Sequence, residues 1–373
     1  MVVRGRGFRD FVPLGAVQRC AWGADEVSGT RQLTRARVLS DTRLECVSYL
    51  RRSPASVPFG IALNGLDFVE EASAVSYTFY EQLPLFRGLE PTGGPLEGGT
   101  RVTLHGAGFG RFDSDAASAR CIWGAANRLP EDRVLTVPSE LGSDYAVCES
   151  AQVDDITPFF YASVKLALNG LEYSTPQFFR FYGHPKQFIE LVPVNGGPIA
   201  GGSVITLGGY GFRNFDEEAT ALAKARCRWG DDEPGGTNVP LALEADNVVC
   251  ETAARATPGE VELAVSLNGA DFVGTGQRFL FYNVSLDAIE PRGSPIGGRA
   301  AVTLIGSGFR SFIPTDPNEL TVNIVAAERR VKVRLGGGPA LAVSELADDS
   351  LVFDAPAAAA GEYVVSLALN GVD

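Results

Sequence analysis

Residues 91–109 read PTGGPLEGGTRVTLHGAGF, residues 193–212 read PVNGGPIAGGSVITLGGYGF, and residues 291–309 read PRGSPIGGRAAVTLIGSGF. The chain opens on the tail of the same phrase, VVRGRGF at 2–8. Anchored on the closing phenylalanines Phe8, Phe109, Phe212 and Phe309, the phrase returns at a spacing close to 100 residues. Within it, Val102-Thr103-Leu104 alternates and then meets Gly106 and Gly108, the pattern of a strand ending in a turn that needs open backbone space. Self-similarity at a fixed period is the mark of a tandem array, and it takes precedence over any residue-level reading.

Two further phrases recur in step. IALNGLDF at 61–68, LALNGLEY at 166–173, VSLNGADF at 265–272 and LALNGVD at 367–373 form one set, and YTFY at 77–80, FRFY at 179–182 and FLFY at 279–282 the other. Val261, Leu263, Val265 and Leu267 alternate with Glu262, Ala264 and Ser266, as do Tyr363, Val365, Leu367 and Leu369 with their neighbours. A period of two predicts strands with one buried face, and the Asn-Gly that follows predicts a type I′ hairpin. About seven short strands per unit and no helix predict a two-sheet sandwich.

Composition agrees. The 373 residues exceed one ordinary core, and 43 glycines with 22 prolines favour short strands and many turns. A formal charge of −13 argues against nucleic acid as a partner and against an anionic membrane surface. No apolar run approaches the ~18 residues of a spanning helix, so no direct membrane insertion is expected. The first residues lack the apolar core of a signal peptide.

Six cysteines fall as three pairs, Cys20 with Cys46, Cys121 with Cys148, and Cys227 with Cys250. The first of each pair sits in Cys-x-Trp-Gly, and the second ends LEC, AVC or VVC. The fourth copy is the control: around Val322–Val325 it has neither Cys nor Trp, and Phe353 takes the second position. Joint loss of both partners fits a bond, while buried free thiols are the alternative reading. Disulfides predict an oxidising, extracellular or secretory setting. Asn283-Val284-Ser285 is a glycosylation sequon, a weak signal in a chain of this length.

No residue set suggests chemistry. His105 is matched by Arg4, Gly208 and Ile305 in the other copies, and His184 falls between two copies. Neither has partners at metal-ligand or triad spacing. The glycine-rich phrase is followed by no Gly-Lys-Ser/Thr and recurs as a strand entry, so it is turn geometry and no nucleotide loop. Asp154-Asp155, Asp216-Glu217-Glu218, Asp231-Asp232-Glu233 and Asp348-Asp349 could take calcium, but they lack alternating ligand spacing and read better as solvated loops. Phe159-Phe160 and Phe215 are either ligand-facing or loop anchors. No catalytic, cofactor or metal residue is expected.

The order P-x-G-G-P-x-x-G-G-T, V-T-L-x-G-x-G-F, Cys, Asn-Gly and an aromatic closing strand resembles the IPT/TIG domain. That family has an immunoglobulin-like (E-set) fold and occurs in plexin ectodomains, microbial surface proteins and Rel-type transcription factors. The resemblance implies an all-β chain of four tandem immunoglobulin-like sandwiches at 1–81, 82–184, 185–283 and 284–373. The first is expected to lack its opening strand and the last its closing strand and cysteine pair, as in a segment of a longer array. Leu85, Phe86 and Leu89 in the gap between Tyr80 and Pro91 are apolar enough to pack, which predicts a semi-rigid rod. The function implied is a non-catalytic spacer with a surface for an unidentified protein or glycan, at the cell surface or secreted. The alternatives are a Rel-type dimerisation module, which needs a basic DNA-contacting region, and accessory domains of a carbohydrate-active enzyme.

Overall fold

Each Val-Thr-Leu phrase alternates apolar and polar residues and forms a strand between two others. Arg101–Ala107 lies between Leu85–Glu90 and Tyr145–Glu149, and Val204–Gly208 lies between Leu191–Val192 and Asn247–Glu251. Ala301–Ser307 lies between Ser285–Glu290 and Ser350–Asp354. All these pairings are antiparallel, and the register repeats: Val102 faces Cys148, Ile205 faces Cys250, and Val302 faces Phe353. In a computed structural model, residues 1–9, 17–24, 28–69, 75–80, 85–109, 118–125, 134–153, 159–193, 195–215, 220–230, 236–312 and 328–371 are described.

The chain divides into two compact units, Met1–Glu90 with Arg101–Ala151 and Ser163–Phe178, and Pro91–Thr100 with Gln152–Ala162 and Phe179–Asp373. In the first, Val2–Arg4, Arg43–Cys46, Arg31–Ser40, Arg19–Ala24 and Gly60–Ala62 are hydrogen-bonded in that order, with Arg31–Ser40 passing between two sheets: it pairs with Arg19–Ala24 over residues 31–35 and with Arg43–Cys46 over residues 36–40. Trp22 is fully buried there, 4.9 Å from Phe59 and 4.8 Å from Tyr77 in edge-on packing. Its indole N–H donates to Thr34 Oγ1 at 2.7 Å, which removes the cost of burying it. Trp123 repeats this with Thr136 at 2.9 Å.

In the second unit, Gly196–Pro198, Val273–Tyr282, Gly259–Ser266, Arg226–Trp229 and Thr237–Asn238 form a sheet in that order. Its core gathers Trp229, Phe279, Phe281, Leu263 and Val265 against Ile205, Leu207 and Val248. A separate core gathers Val302, Leu304, Phe309, Val333, Leu351 and Phe353. The closing strands run parallel to the Gly-Gly-Pro phrases, with Phe181 opposite Gly94 and Phe281 opposite Gly197.

Several readings change. Leu85, Phe86 and Leu89 belong to a paired strand and no linker, with Phe86 and Leu89 buried and Leu85 exposed. The Asn-Gly turns are not type I′, which needs φ > 0 at both central residues. Gly269 has φ 82°, but Gln187 and Arg299 are the non-glycine residues at positive φ among those described. Instead the Asn268 side-chain oxygen accepts the N–H groups of Ala270 and Asp271, closing an Asx turn. A helix, Thr220–Lys224, interrupts the all-strand expectation. Gly259–Ser266 is a central strand whose second half is covered on both faces, burying Ala264 and Ser266 as well as Leu263 and Val265. In the fourth copy Val333 pairs with Leu367 as Cys227 pairs with Val265. The first cysteine position is thus Val333, with Leu335 standing where Trp229 stands, while Val322–Val325 lie outside the described residues.

Candidate functional site

The most developed polar constellation in the described residues is built from the recurring phrases themselves. In the second unit, Asn268 Nδ2 donates to Gly93 O at 2.8 Å and to Asp271 Oδ2 at 2.6 Å. Thr100 Oγ1 donates to the same Asp271 oxygen at 2.8 Å. One copy's Asn-Gly-x-Asp turn therefore grips the Gly-Gly-Pro phrase of the copy before it. The pattern recurs one step on, where Asn370 Nδ2 donates to Gly196 O at 2.8 Å. In the first unit the counterpart is different: Tyr80 Oη and Asn169 Nδ2 each donate to Glu172 Oε2, both at 3.0 Å.

An aromatic contact accompanies each grip. Phe215 is buried with its ring 5.0 Å from that of Tyr182, and Phe312 lies 5.9 Å from Tyr282. Tyr182, Phe215 and Leu267 form a small core of their own. A Cβ on Gly93 would fall inside 3 Å of both the Phe215 ring and Arg180 O, and one on Gly196 would do the same to Phe312. These glycines are bare because another copy's phenylalanine occupies the space. The Tyr182 hydroxyl pKa is raised far above the usual phenol range, first by burial and then by Asp271 and Glu97. Tyr80 is raised likewise, by burial and then by its bond to Glu172.

Both members of the joint had a sequence signal. GFRDF at 7–11, GFGRF at 108–112, GFRNF at 211–215 and GFRSF at 308–312 repeat a second phenylalanine, and Asn-Gly is followed each time by Asp or Glu two residues on. Of the two options for Phe215, the structure selects the anchor.

The three cysteine pairs are bonded, with Cα–Cα separations of 6.1, 6.4 and 6.1 Å, and all six are buried. Each ties the Trp-bearing strand to the strand beside the Val-Thr-Leu strand. Asn283 is exposed, directly after the buried Tyr282. His105 is exposed, and His184 Nε2 lies 4.0 Å from Glu97 Oε2. Asp348 and Asp349 shape a loop, their carbonyls accepting the N–H groups of Phe309 and Gly306. The acidic clusters at 154–155, 216–218 and 231–233 lie outside the described residues, as do the side chains of Phe159 and Phe160. A cavity of about 640 Å³ lies against Ile289–Ile296 and Tyr363–Val365, with Arg292, Glu362 and Tyr363 as its titratable lining.

Residues 285–373 match the IPT/TIG domain family. The chain is 25% identical to plexin-B2 of Mus musculus over 229 residues, 61% of this chain and 11% of that protein. It is 23% identical to plexin A3 of Danio rerio over 277 residues, 72% of this chain and 13% of that protein. It spans little more than a tenth of either relative. The solved extracellular region of plexin A4 aligns over 100% of this chain and 35% of its own length, at 14% identity and a TM-score of 0.36. The match to the IPT/TIG family lies in the C-terminal quarter of the chain, and the fold is immunoglobulin-like and almost entirely β. With three disulfides, which persist in oxidising compartments, the likeness to plexins puts the segment outside the cell or at its surface.

Proposed function

We propose that the chain is four IPT/TIG domains, at 1–81, 82–184, 185–283 and 284–373, that act as a semi-rigid spacer carrying a binding surface for a protein or a glycan. The observation that supports this is the repeated joint of the second unit: the Asn268–Gly93 and Asn370–Gly196 bonds with their seated phenylalanines. A flexible string of domains has no use for buried Phe215, or for a Gly93 whose place only glycine fits. The first joint offers a buried ring and two hydrogen bonds between copies, the second a partly buried ring and the Asn370–Gly196 bond, enough to oppose bending without fusing two cores into one.

Small-angle X-ray scattering of the secreted chain tests the reading. The native protein fits a single conformer. Phe215→Ala with Asn268→Ala broadens the distance distribution while near-UV circular dichroism stays native. A native profile that already needs a wide ensemble would remove the spacer from the proposal.

A further inference from the structure

Ten arginines and no lysine fall in residues 1–81, against nine aspartates and glutamates, while the rest of the chain carries a strong negative excess. The strands of this region set several of those arginines on one exposed face. Arg4 pairs directly with Arg43, Arg19 with Arg35, and Arg37 with Glu45. Directly paired residues share a face, and so do residues two apart on a strand. Arg4, Arg43 and Arg37 therefore form one array across three neighbouring strands, about 10 Å wide at the usual strand spacing, and Arg35, two residues before Arg37 on the same strand, continues it to Arg19 where that strand passes to the second sheet. All five are exposed, and Glu45, 3.8 Å from Arg37, is the acid within the array. No carboxylate of a described residue makes an ion pair with Arg4, Arg19, Arg35 or Arg43. A depression of about 450 Å³ opens between Arg35, Arg37, Glu45 and Val47.

The fold does not ask for these side chains. Where the first copy pairs Arg4 with Arg43, the others pair His105 with Tyr145, Gly208 with Asn247 and Ile305 with Ser350. Where it has Arg37, they have Glu140, Ala242 and Glu345. Two pairs of like charges directly opposed destabilise a sheet, so stability does not account for them. Guanidinium groups have the planar fork that fits sulfate and carboxylate oxygens two at a time. An extended array with a shallow depression suits a linear polyanion better than a single ion.

We infer that the arginine face of residues 1–81 binds a sulfated glycosaminoglycan. This deepens the binding-surface half of the proposed function and rests on the extracellular setting. It does not rest on the spacer, whose scattering test contains no glycan.

Heparin is the probe, and the secreted full chain the protein. The native chain binds immobilised heparin at about physiological ionic strength. Arg35→Gln, Arg37→Gln and Arg43→Gln combined weaken binding on the order of 100-fold. They also lower the slope of log K against log salt by about one per lost contact. Circular dichroism and the absence of free thiols show that the variant is folded. The matched change Arg278→Gln, Lys332→Gln and Arg334→Gln leaves binding unaltered. Hyaluronan, with carboxylates and no sulfates, binds far less. Three results would overturn the inference: no retention of the native chain, equal losses in both variants, or equal affinity for heparin and poly-glutamate. The last would reassign the face to an acidic protein.

Discussion

At the scale of the residue, glycines of identical appearance in the sequence have different duties. Gly93 and Gly293 occupy matching places in their phrases, and both read as turn glycines. Yet a Cβ on Gly93 would strike Phe215 and Arg180 O, while nothing lies within 4 Å of a Cβ on Gly293. We expect Gly93→Ala to cost about 1–3 kcal/mol through overpacking, and Gly293→Ala to stay within about 0.5 kcal/mol. Urea unfolding of the two variants measures the difference, and equal costs would mean that the seat is not rigid. The sequence could not separate them, because the deciding atom belongs to a phenylalanine more than a hundred residues away. Asn283 poses a simpler question. It is exposed, and its sequon partner Ser285 has its hydroxyl 3.0 Å from that of Ser307 on the neighbouring strand. Glycan attachment at Asn283 in a secretory host appears as a mass shift that peptide-N-glycosidase removes and that Asn283→Gln abolishes. An unmodified Asn283 in otherwise glycosylating cells refutes it.

Elements were legible where an invariant residue marked them. The Cys-x-Trp phrase located three strands and, through the second cysteines, three more. In the fourth copy, without that marker, spacing alone points near Val322, whereas Val333 and Leu335 hold the matching register. The alternation VKVRL at 331–335 was there to be read, but alternation alone does not say which of two nearby segments pairs with Val365–Ala368. The substitution has an energetic consequence. Buried Val333 and Phe353 hold by packing what Cys227 and Cys250 hold by a bond. Each bridge closes 23 to 27 residues and stabilises its copy by roughly 3–4 kcal/mol in the chain-entropy account. Reduction should therefore act locally. Under dithiothreitol, hydrogen exchange rises in Val204–Gly208 and Asn247–Glu251 and is little changed in Ala301–Ser307 and Ser350–Asp354. An equal rise in all four strands would show that the bridges stabilise the array as a whole.

For the whole molecule, the period near 100 residues made the array visible, but the joints were misread as linkers with packing residues. What appeared to be linker, Leu85–Glu90 and Ser285–Glu290, is strand, and the contacts between copies come from phrases far apart in sequence. An array whose members touch mainly their neighbours behaves as a one-dimensional chain of coupled units. Coupling then has a definite range. Phe215 meets Tyr182 at the end of Gln177–Tyr182, and Phe312 meets Tyr282 at the end of Val273–Tyr282. Removing either ring loosens its own copy and the closing strand of the copy before it, and the disturbance stops there. Phe312→Ala should raise exchange in Val273–Tyr282 and in Ala301–Ser307 while leaving Gln177–Tyr182 at its native rate. Phe215→Ala should raise it in Gln177–Tyr182 and in Val204–Gly208 and leave Ser350–Asp354 protected. Ring removal of this kind costs about 3–5 kcal/mol in a full core, and less at a joint where Phe312 is only partly buried, so the native fold survives the change. Exchange that rises along the entire chain from either substitution would mean that the units fold as one. Exchange confined to the mutated copy would mean that the seated rings transmit nothing, and that the stiffness of the array has another source.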